Sequence, residues 1–452
     1  MTLLADRLSR RRFGLAALTA AGYSRILGAN DRVHVGYIGL GNRGDQLHDA
    51  FLEHGDQETV AVCDLRDDYL DLAVNKSRAA PKRYKEYRQL LDDRNVDAVA
   101  IATPDHWHAL MFVDACHAGK DVYVEKPLSL TVSEGRRMVQ VAAETGRVTQ
   151  VGTNRRSWKS YLEAAEFIRS GGLGRVTMAR AFSIRNEWPV GLGMPEGPAP
   201  SDWEWDHWLG PAPYVPYDPN RQYYNFRWFY NYSGGQLTNY GVHFIDAIRL
   251  LCGLGPPKSV TAMGGRYAEI QDNREIPDTM QVMWEFDPTM LVTFTQSNGN
   301  GASGDEKHSE IEIRGTKGTM YVHNSRWEVA PEAISDTPTG YNLGKGYGNP
   351  LNRAGEARGS RKPQIQARQG ASTASNNTAS HTRNFLDCIK SRQKCNADIL
   401  IGHLSTSSTL IGNIAHKTRS MLDWDPAAER FPKHAEANQY LSYQYRAPYK
   451  LG

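Results

Sequence analysis

The stretch VHVGYIGLGNRG, residues 33–44, decides the fold. Its first half is an apolar run of strand formers. Its second half places Gly39, Gly41 and Gly44 in the spacing G-x-G-x-x-G, ahead of an amphipathic segment from Asp45 to His54. A strand that ends in such a turn and re-enters as a helix opens a βαβ unit. The glycines let the backbone approach a pyrophosphate, and the free N–H groups of the helix N-terminus face it. The next apolar run, TVAVCDL (59–65), carries Asp64, 20 residues beyond Gly44. A carboxylate there accepts the ribose hydroxyls of NAD and repels the 2′-phosphate of NADP, with Arg66 nearby as a competing cation.

Outward from this unit the alternation continues. A helix over Asp67–Ala79 precedes the strand VDAVAIATP (96–104), the helix HALMFVDACHAG (108–119), the strand DVYVEKPL (121–128), a helix over Val132–Thr145 and VTQVGTN (148–154). That pattern builds a parallel sheet covered on both faces. Near residue 153 it changes. After a helix over Trp158–Ser170 come segments of period two, among them RVTMARAFSI (175–184), TMQVMWEF (279–286) and MLVTFTQSN (290–298), which suit a mainly antiparallel sheet. The expected fold is α/β: an N-terminal Rossmann domain over 31–152 and a C-terminal α+β domain over 153–440. Within the latter, 333–380 is rich in Gly, Ser, Asn and Pro and reads as a long loop or lid. Residues 1–30 form a leader and 441–452 a tail.

The 452 residues carry a net charge of +3, but the leader alone holds Arg7, Arg10, Arg11, Arg12 and Arg25 against Asp6, so the body of the chain is close to neutral. Such a body exerts no general pull on nucleic acid or anionic lipid. The five cysteines lack C-x-x-C spacing, so neither a disulfide framework nor a zinc site is expected. Ser9-Arg10-Arg11-Arg12-Phe13 followed by a short apolar run to Ala21 matches a twin-arginine signal, with export to the periplasm as the expectation. The run is too short to span a bilayer. No A-x-A site precedes Asp31, so a retained arm is the alternative to a cleaved leader.

Two further strand ends, ATPDHWH (102–108) and VEKP (124–127), fall at the carboxyl edge where open α/β sheets bind ligands. Lys126 there suits hydrogen bonding to a substrate hydroxyl and stabilising negative charge on that oxygen. Pro127 fixes the turn and is a candidate for a cis bond. In GGQLTNYGVHFIDAIRLLCG (234–253), His243 lies near a helix start, with Asn239 four residues before it and Asp246 three after, positions that would flank the imidazole. A histidine suits proton transfer from an alcohol. Residues 203–232 hold twelve aromatics. Their rings suit the apolar faces of sugars, with Arg221 and Arg227 able to grip hydroxyls, or equally form a satellite core.

With GYIGLGNRG, CDLR, ATPDHWHA, YVEKPLSLTVSEG, GTNRRS, GGQLTNYGVHFID, NFLDCIKSR and LDWDP, the chain resembles the glucose–fructose oxidoreductase and inositol dehydrogenase (Gfo/Idh/MocA) family nearly end to end. The resemblance implies a Rossmann domain joined to a large open sheet that makes dimer or tetramer contacts. It implies NAD contacts from Gly39, Gly41, Asn42, Arg43, Gly44, Asp64, Thr103, Pro104, His106, Trp107, His108, Glu125, Lys126 and Asn154. Lys126 would be the active-site lysine and His243 the proton-transfer histidine, with Asn239 beside them. The substrate side is assigned to Arg156, Arg227, Trp228, Tyr230, Tyr240 and His243, and no metal is expected. Many dehydrogenases of the family carry Asp where Asn239 stands, and an amide only orients a neighbour that a carboxylate would also charge. Two functions follow: oxidation of a secondary hydroxyl of a sugar, glycoside or cyclitol, or redox-neutral glycoside cleavage through a keto-sugar. The family's glycosidases typically lack the lysine at Lys126, which favours the first.

Overall fold

The computed structural model describes residues 32–186, 197–200, 203–268, 271–287, 290–304, 307–335, 361–371 and 377–452. The twin-arginine leader lies outside the described residues, as do 336–360 and 372–376 of the expected loop.

Six strands form the first sheet: β1 (Val33–Ile38), β2 (Gln57–Cys63), β3 (Lys82–Tyr84), β4 (Ala98–Ile101), β5 (Asp121–Val124) and β6 (Thr149–Val151). All pairs are parallel, in the order β3-β2-β1-β4-β5-β6. β4 and β5 are buried at every position, as strands covered on both faces must be. Helices Asp105–His117 and Val132–Thr145 cover one face, where Phe112 and Met138 meet Val99 and Val122. On the other, Leu47 and Phe51 of helix Asn42–Leu52 meet Val33, Val35 and Tyr37. The order of strands reverses between β1 and β4, and a crevice opens at their carboxyl ends.

One part of this domain comes from far along the chain. Helix Asn377–Ser391 places Phe385, Leu386 and Ile389 in the core around Tyr37 and Tyr123, and Arg383 and Lys390 both pair with Asp56. The helix thus packs across the boundary between the two domains as read from the sequence. An amphipathic helix carries the same periodicity whichever sheet it covers, so only tertiary contact decides which one that is. The tail also returns: Tyr445 donates to Glu134 Oε1 at 2.6 Å, and Arg446 Nε donates to the Gly210 carbonyl at 3.0 Å.

The second sheet comprises β7 (Val176–Ile184), β8 (Pro257–Gly265), β9 (Thr279–Phe286), β10 (Met290–Ser297), β11 (Ile311–Gly315), β12 (Gly318–Val322), β13 (Arg326–Pro331), β16 (Arg368–Ala371) and β17 (Leu422–Asp423); β14 (Ala333–Ser335) and β15 (Arg361–Pro363) pair separately. Its order is β16-β13-β12-β11-β7-β10-β9-β8-β17, antiparallel throughout except for β7 beside β10. The described parts of 333–380 are thus partly ordered, with three strands and a helix starting at Asn377, rather than loop throughout. Their polar, glycine-rich composition hid edge pairing, which needs backbone groups and little side-chain burial. Helices Lys159–Arg169, Val242–Cys252 and Ile399–Thr418 pack on one face of this sheet. The opposite face exposes Met263, Met283 and Leu291. Among the described residues, no helix is long and apolar enough to cross a membrane.

Candidate active site

At the carboxyl end of β1 the chain turns through Gly39, whose φ of +85° disfavours any side chain. A Cβ there would lie 2.8 Å from the Ala102 carbonyl carbon, and one on Gly44 would lie 2.0 Å from the Gly39 oxygen. The strand end, the helix and the β4 loop are pressed together, and side chains are excluded at both points. Helix Asn42–Leu52 begins at Gly41 without a side-chain cap, and Gly41, Asn42 and Arg43 line a cleft of about 430 Å³. Asp64 enters this cleft held by two backbone donors, Leu40 N at 2.7 Å and Arg66 N at 3.0 Å. Burial pushes its carboxyl upward, opposed by those two bonds. Thr103, Pro104, Trp107, Glu125 and Lys126 also line the cleft. The glycine cradle, the uncapped helix end and Asp64 fit a dinucleotide.

At the inner end, Glu125 is buried and accepts from Arg43 Nε at 2.8 Å. Lys126, followed by a cis peptide to Pro127, donates from Nζ to Asn239 Oδ1 at 2.7 Å and to the Asn239 carbonyl at 3.1 Å. Burial, then the charge of Arg227, brings its ammonium down to about 8. His243 Nδ1 is buried with no hydrogen-bond partner. Burial, then the positive charges of Lys126, Arg155 and Arg43, hold the imidazole well below its ordinary value and therefore neutral. The structure thus brings Lys126, His243, Asn239 and Arg227 together, from two domains.

Asn239 serves the lysine and not the histidine, which corrects the expected flanking. The turn Leu237–Gly241 is π-helical, so residues four apart across it no longer stack as on an α-helix. Asp246 also turns away: it accepts from Arg156 Nε at 2.8 Å on both oxygens and from Ser405 at 2.6 Å. Arg156 is consequently buried in an ion pair and not offered to substrate.

The aromatic segment divides. Trp228 is fully buried in a satellite core with Phe229 and Tyr232, under the Arg274 guanidinium, and leaves the substrate set. Tyr230 and Tyr240 do not line the cleft: Lys417 lies 3.6 Å from the ring centroid of Tyr230, and the Arg185 guanidinium 3.7 Å from that of Tyr240. Trp203, Trp208, Tyr223, Tyr224, Phe226 and Arg227 instead wall the cleft itself. In the 102–108 loop, His106 is buried against Trp208 and Tyr232. His108 lies between the Pro127 and Thr103 carbonyls at 2.8 and 2.9 Å, tying the two loops together. Asn154 sits outside the lining, with Nδ2 donating to Thr378.

Sequence reasoning missed Asp105. It lines the cleft, is buried, and accepts from Ser233 Oγ at 2.5 Å. Burial raises its carboxyl, opposed by His108, Ser233, Arg227 and Lys126. Its place after Pro104 at a strand end was the available signal, but an acid in a first helical turn reads more simply as a dipole partner.

Residues 33–153 match the family described as "Oxidoreductase family, NAD-binding Rossmann fold", and residues 162–325 and 360–451 match "Oxidoreductase family, C-terminal alpha/beta domain". Among curated relatives, glycosyl hydrolase family 109 protein 1 of Shewanella sp. (strain MR-4) is 34% identical over 160 residues, 34% of this chain and 35% of the relative. Glycosyl hydrolase family 109 protein of Shewanella baltica (strain OS155 / ATCC BAA-1091) is 33% identical over 162 residues, 34% of this chain and 35% of the relative. The match spans about a third of the length of these relatives. A levoglucosan dehydrogenase in complex with NADH and levoglucosan superposes with a TM-score of 0.64 at 16% identity, covering 87% of this chain and 99% of that one. The aldose-aldose oxidoreductase from Caulobacter crescentus, complexed with glycerol, gives 0.62 at 16% identity, with coverage of 87% and 99%. The fold is shared at these identities.

Proposed function

Since this chain belongs to the Gfo/Idh/MocA oxidoreductase family, with an NAD-binding Rossmann domain, we propose that it oxidises a secondary hydroxyl of a sugar, glycoside or cyclitol. The observation that carries this is Lys126 in the wall of the cleft, within electrostatic reach of His243, whose Nδ1 is buried without a hydrogen-bond partner and whose ring is held neutral although it does not itself line the cleft. NAD held by Gly39–Gly44, Asp64 and Glu125–Lys126 supplies the hydride acceptor. Lys126 Nζ donates to the substrate oxygen and stabilises negative charge on it. His243 takes the hydroxyl proton, which its neutral ring can accept and an imidazolium could not. Arg227 lines the cleft as a further cation for substrate oxygens, and Asn239 holds the lysine in place. The test is to incubate the purified protein with a panel of glycosides and cyclitols, following absorbance of reduced cofactor and product together. No change in either across the panel would remove the proposal.

The second reading, redox-neutral glycoside cleavage, is favoured by the curated relatives named as family 109 glycosyl hydrolases. Lys126 weighs against it. In either case the leader argues for export of a folded protein into a compartment with little free NAD. The enzyme then keeps its cofactor and ends each cycle in its starting redox state, by passing the hydride on to a second sugar or by returning it to the same molecule during bond cleavage. Protein gel-filtered free of added nucleotide should complete many turnovers on the cofactor it retains. Activity only with excess NAD, and NADH accumulating with product, would leave an ordinary dehydrogenase. The open face bearing Met263, Met283 and Leu291 is the proposed dimer or tetramer surface, checked by sedimentation.

A further inference from the structure

We infer that the adenosine half of the cofactor site is completed by the second domain: Tyr223, bonded to Arg66 and backed by Trp203, closes that end and sets how fast a dinucleotide leaves. The inference rests on the reading that NAD occupies this cleft. Asp64 marks the ribose end, and there the Rossmann side of the cleft is Arg66 and Tyr69 while the facing side is Trp203, Tyr223 and Tyr224. Arg66 Nη1 donates to Tyr223 Oη at 2.7 Å across the two domains. The guanidinium is fixed from behind by Asp68, with Nε donating to Oδ1 at 2.9 Å. Its carbon lies 4.5 Å from the Tyr69 ring centroid and 5.5 Å from that of Tyr223. The Trp203 ring is 5.9 Å from Tyr223.

The chain holds Tyr223 there by design of its neighbours. Tyr223 has φ +50°, a left-handed conformation unfavourable for a residue with a side chain. The residues flanking the exposed pair Tyr223 and Tyr224 explain its persistence: before it Gln222 donates to Tyr217 Oη at 2.9 Å, and after it Phe226 and Trp228 are buried in the satellite core. A segment anchored at both ends thus presents two half-exposed rings that no core uses, facing the nucleotide end of the cleft. Aromatic faces and a planar guanidinium suit a purine, which stacks on them without needing sequence-like readout. Departure of the adenosine end requires Tyr223 to leave Arg66.

The test uses the full protein loaded with NADH and chased with excess NAD, following cofactor fluorescence. Tyr223→Ala should speed release roughly 10- to 100-fold, the value of one stacked base lost on truncation to alanine. Tyr223→Phe, which keeps the ring and loses the bond to Arg66, should give a smaller acceleration, and Arg66→Gln should resemble it. Thermal unfolding should be little changed, since Tyr223 is half exposed. Release from Tyr223→Ala within twofold of the parent rate, with both proteins folded, overturns the inference. Should Tyr223→Ala fail to fold, unchanged release from both Tyr223→Phe and Arg66→Gln overturns it. Rapid release from the parent protein counts against retained cofactor, while the ratio of parent to variant rates still decides the closure. No NADH binding by the parent protein removes the underlying reading.

Discussion

Replacing Asn239 with aspartate should raise the titration of Lys126 and leave that of His243 nearly in place. In the parent protein Lys126 titrates at about 8, down from 10.5, because burial and then Arg227 penalise the ammonium. Its Nζ lies 2.7 Å from Asn239 Oδ1, so the substitution sets a carboxylate directly on the amine. An opposite charge at such range moves a titration by about 1 to 3 units, or roughly 1.4 to 4 kcal/mol in favour of the charged form. The lysine should therefore titrate between about 9 and 11. The cleanest assay is competitive labelling of amines as a function of pH, with the Lys126 peptide quantified by mass spectrometry, because it needs no substrate. The alkaline limb of kcat/KM should move with it once a substrate is in hand. An unmoved Lys126 titration, or a shift confined to the acidic limb, would refute the assignment of Asn239 to the lysine.

Lys126→Ala and His243→Ala should each lower turnover about 10²- to 10⁴-fold while NAD stays bound, measured as nucleotide retained after gel filtration; near-normal kcat in either removes that residue's role. Trp228→Ala should cost about 3–5 kcal/mol in chemical denaturation, as a large core truncation does, and leave substrate preference unchanged. Glu134 is buried and pushed up to about 7 from 4.5, burial prevailing over donors on Tyr445 and Thr131. Its folded value lies above its unfolded one, so its contribution is full below the unfolded value and is lost as pH rises through the folded one. That loss is at most roughly 3 kcal/mol. Glu134→Gln should flatten the fall in stability between pH 4.5 and 7, and an unchanged slope would place the titration elsewhere.

Much of this architecture is legible in order along the chain, because its causes are local. VHVGYIGLGNRG states a strand, a turn that excludes Cβ atoms and a helix start within twelve residues, and sterics alone impose that result. Asp64, Lys126 and the π-turn histidine segment each sit at a strand end or glycine break, where backbone geometry points them toward the crevice. What a side chain touches across the domain boundary is not local. Spacing placed Asn239 beside His243, whereas the wider π-turn gave it to Lys126. Arg156 and Asp246 cancel each other in a buried pair, although ninety residues separate them. Twelve aromatics promised a sugar surface, and burial instead split them between a satellite core and the wall of the nucleotide cleft. Composition and periodicity report that a ring or a helix wants to be covered, and they are silent on what covers it. The partner is chosen by the shape of the whole fold, which is why helix Asn377–Ser391 closes a sheet that began with Val33.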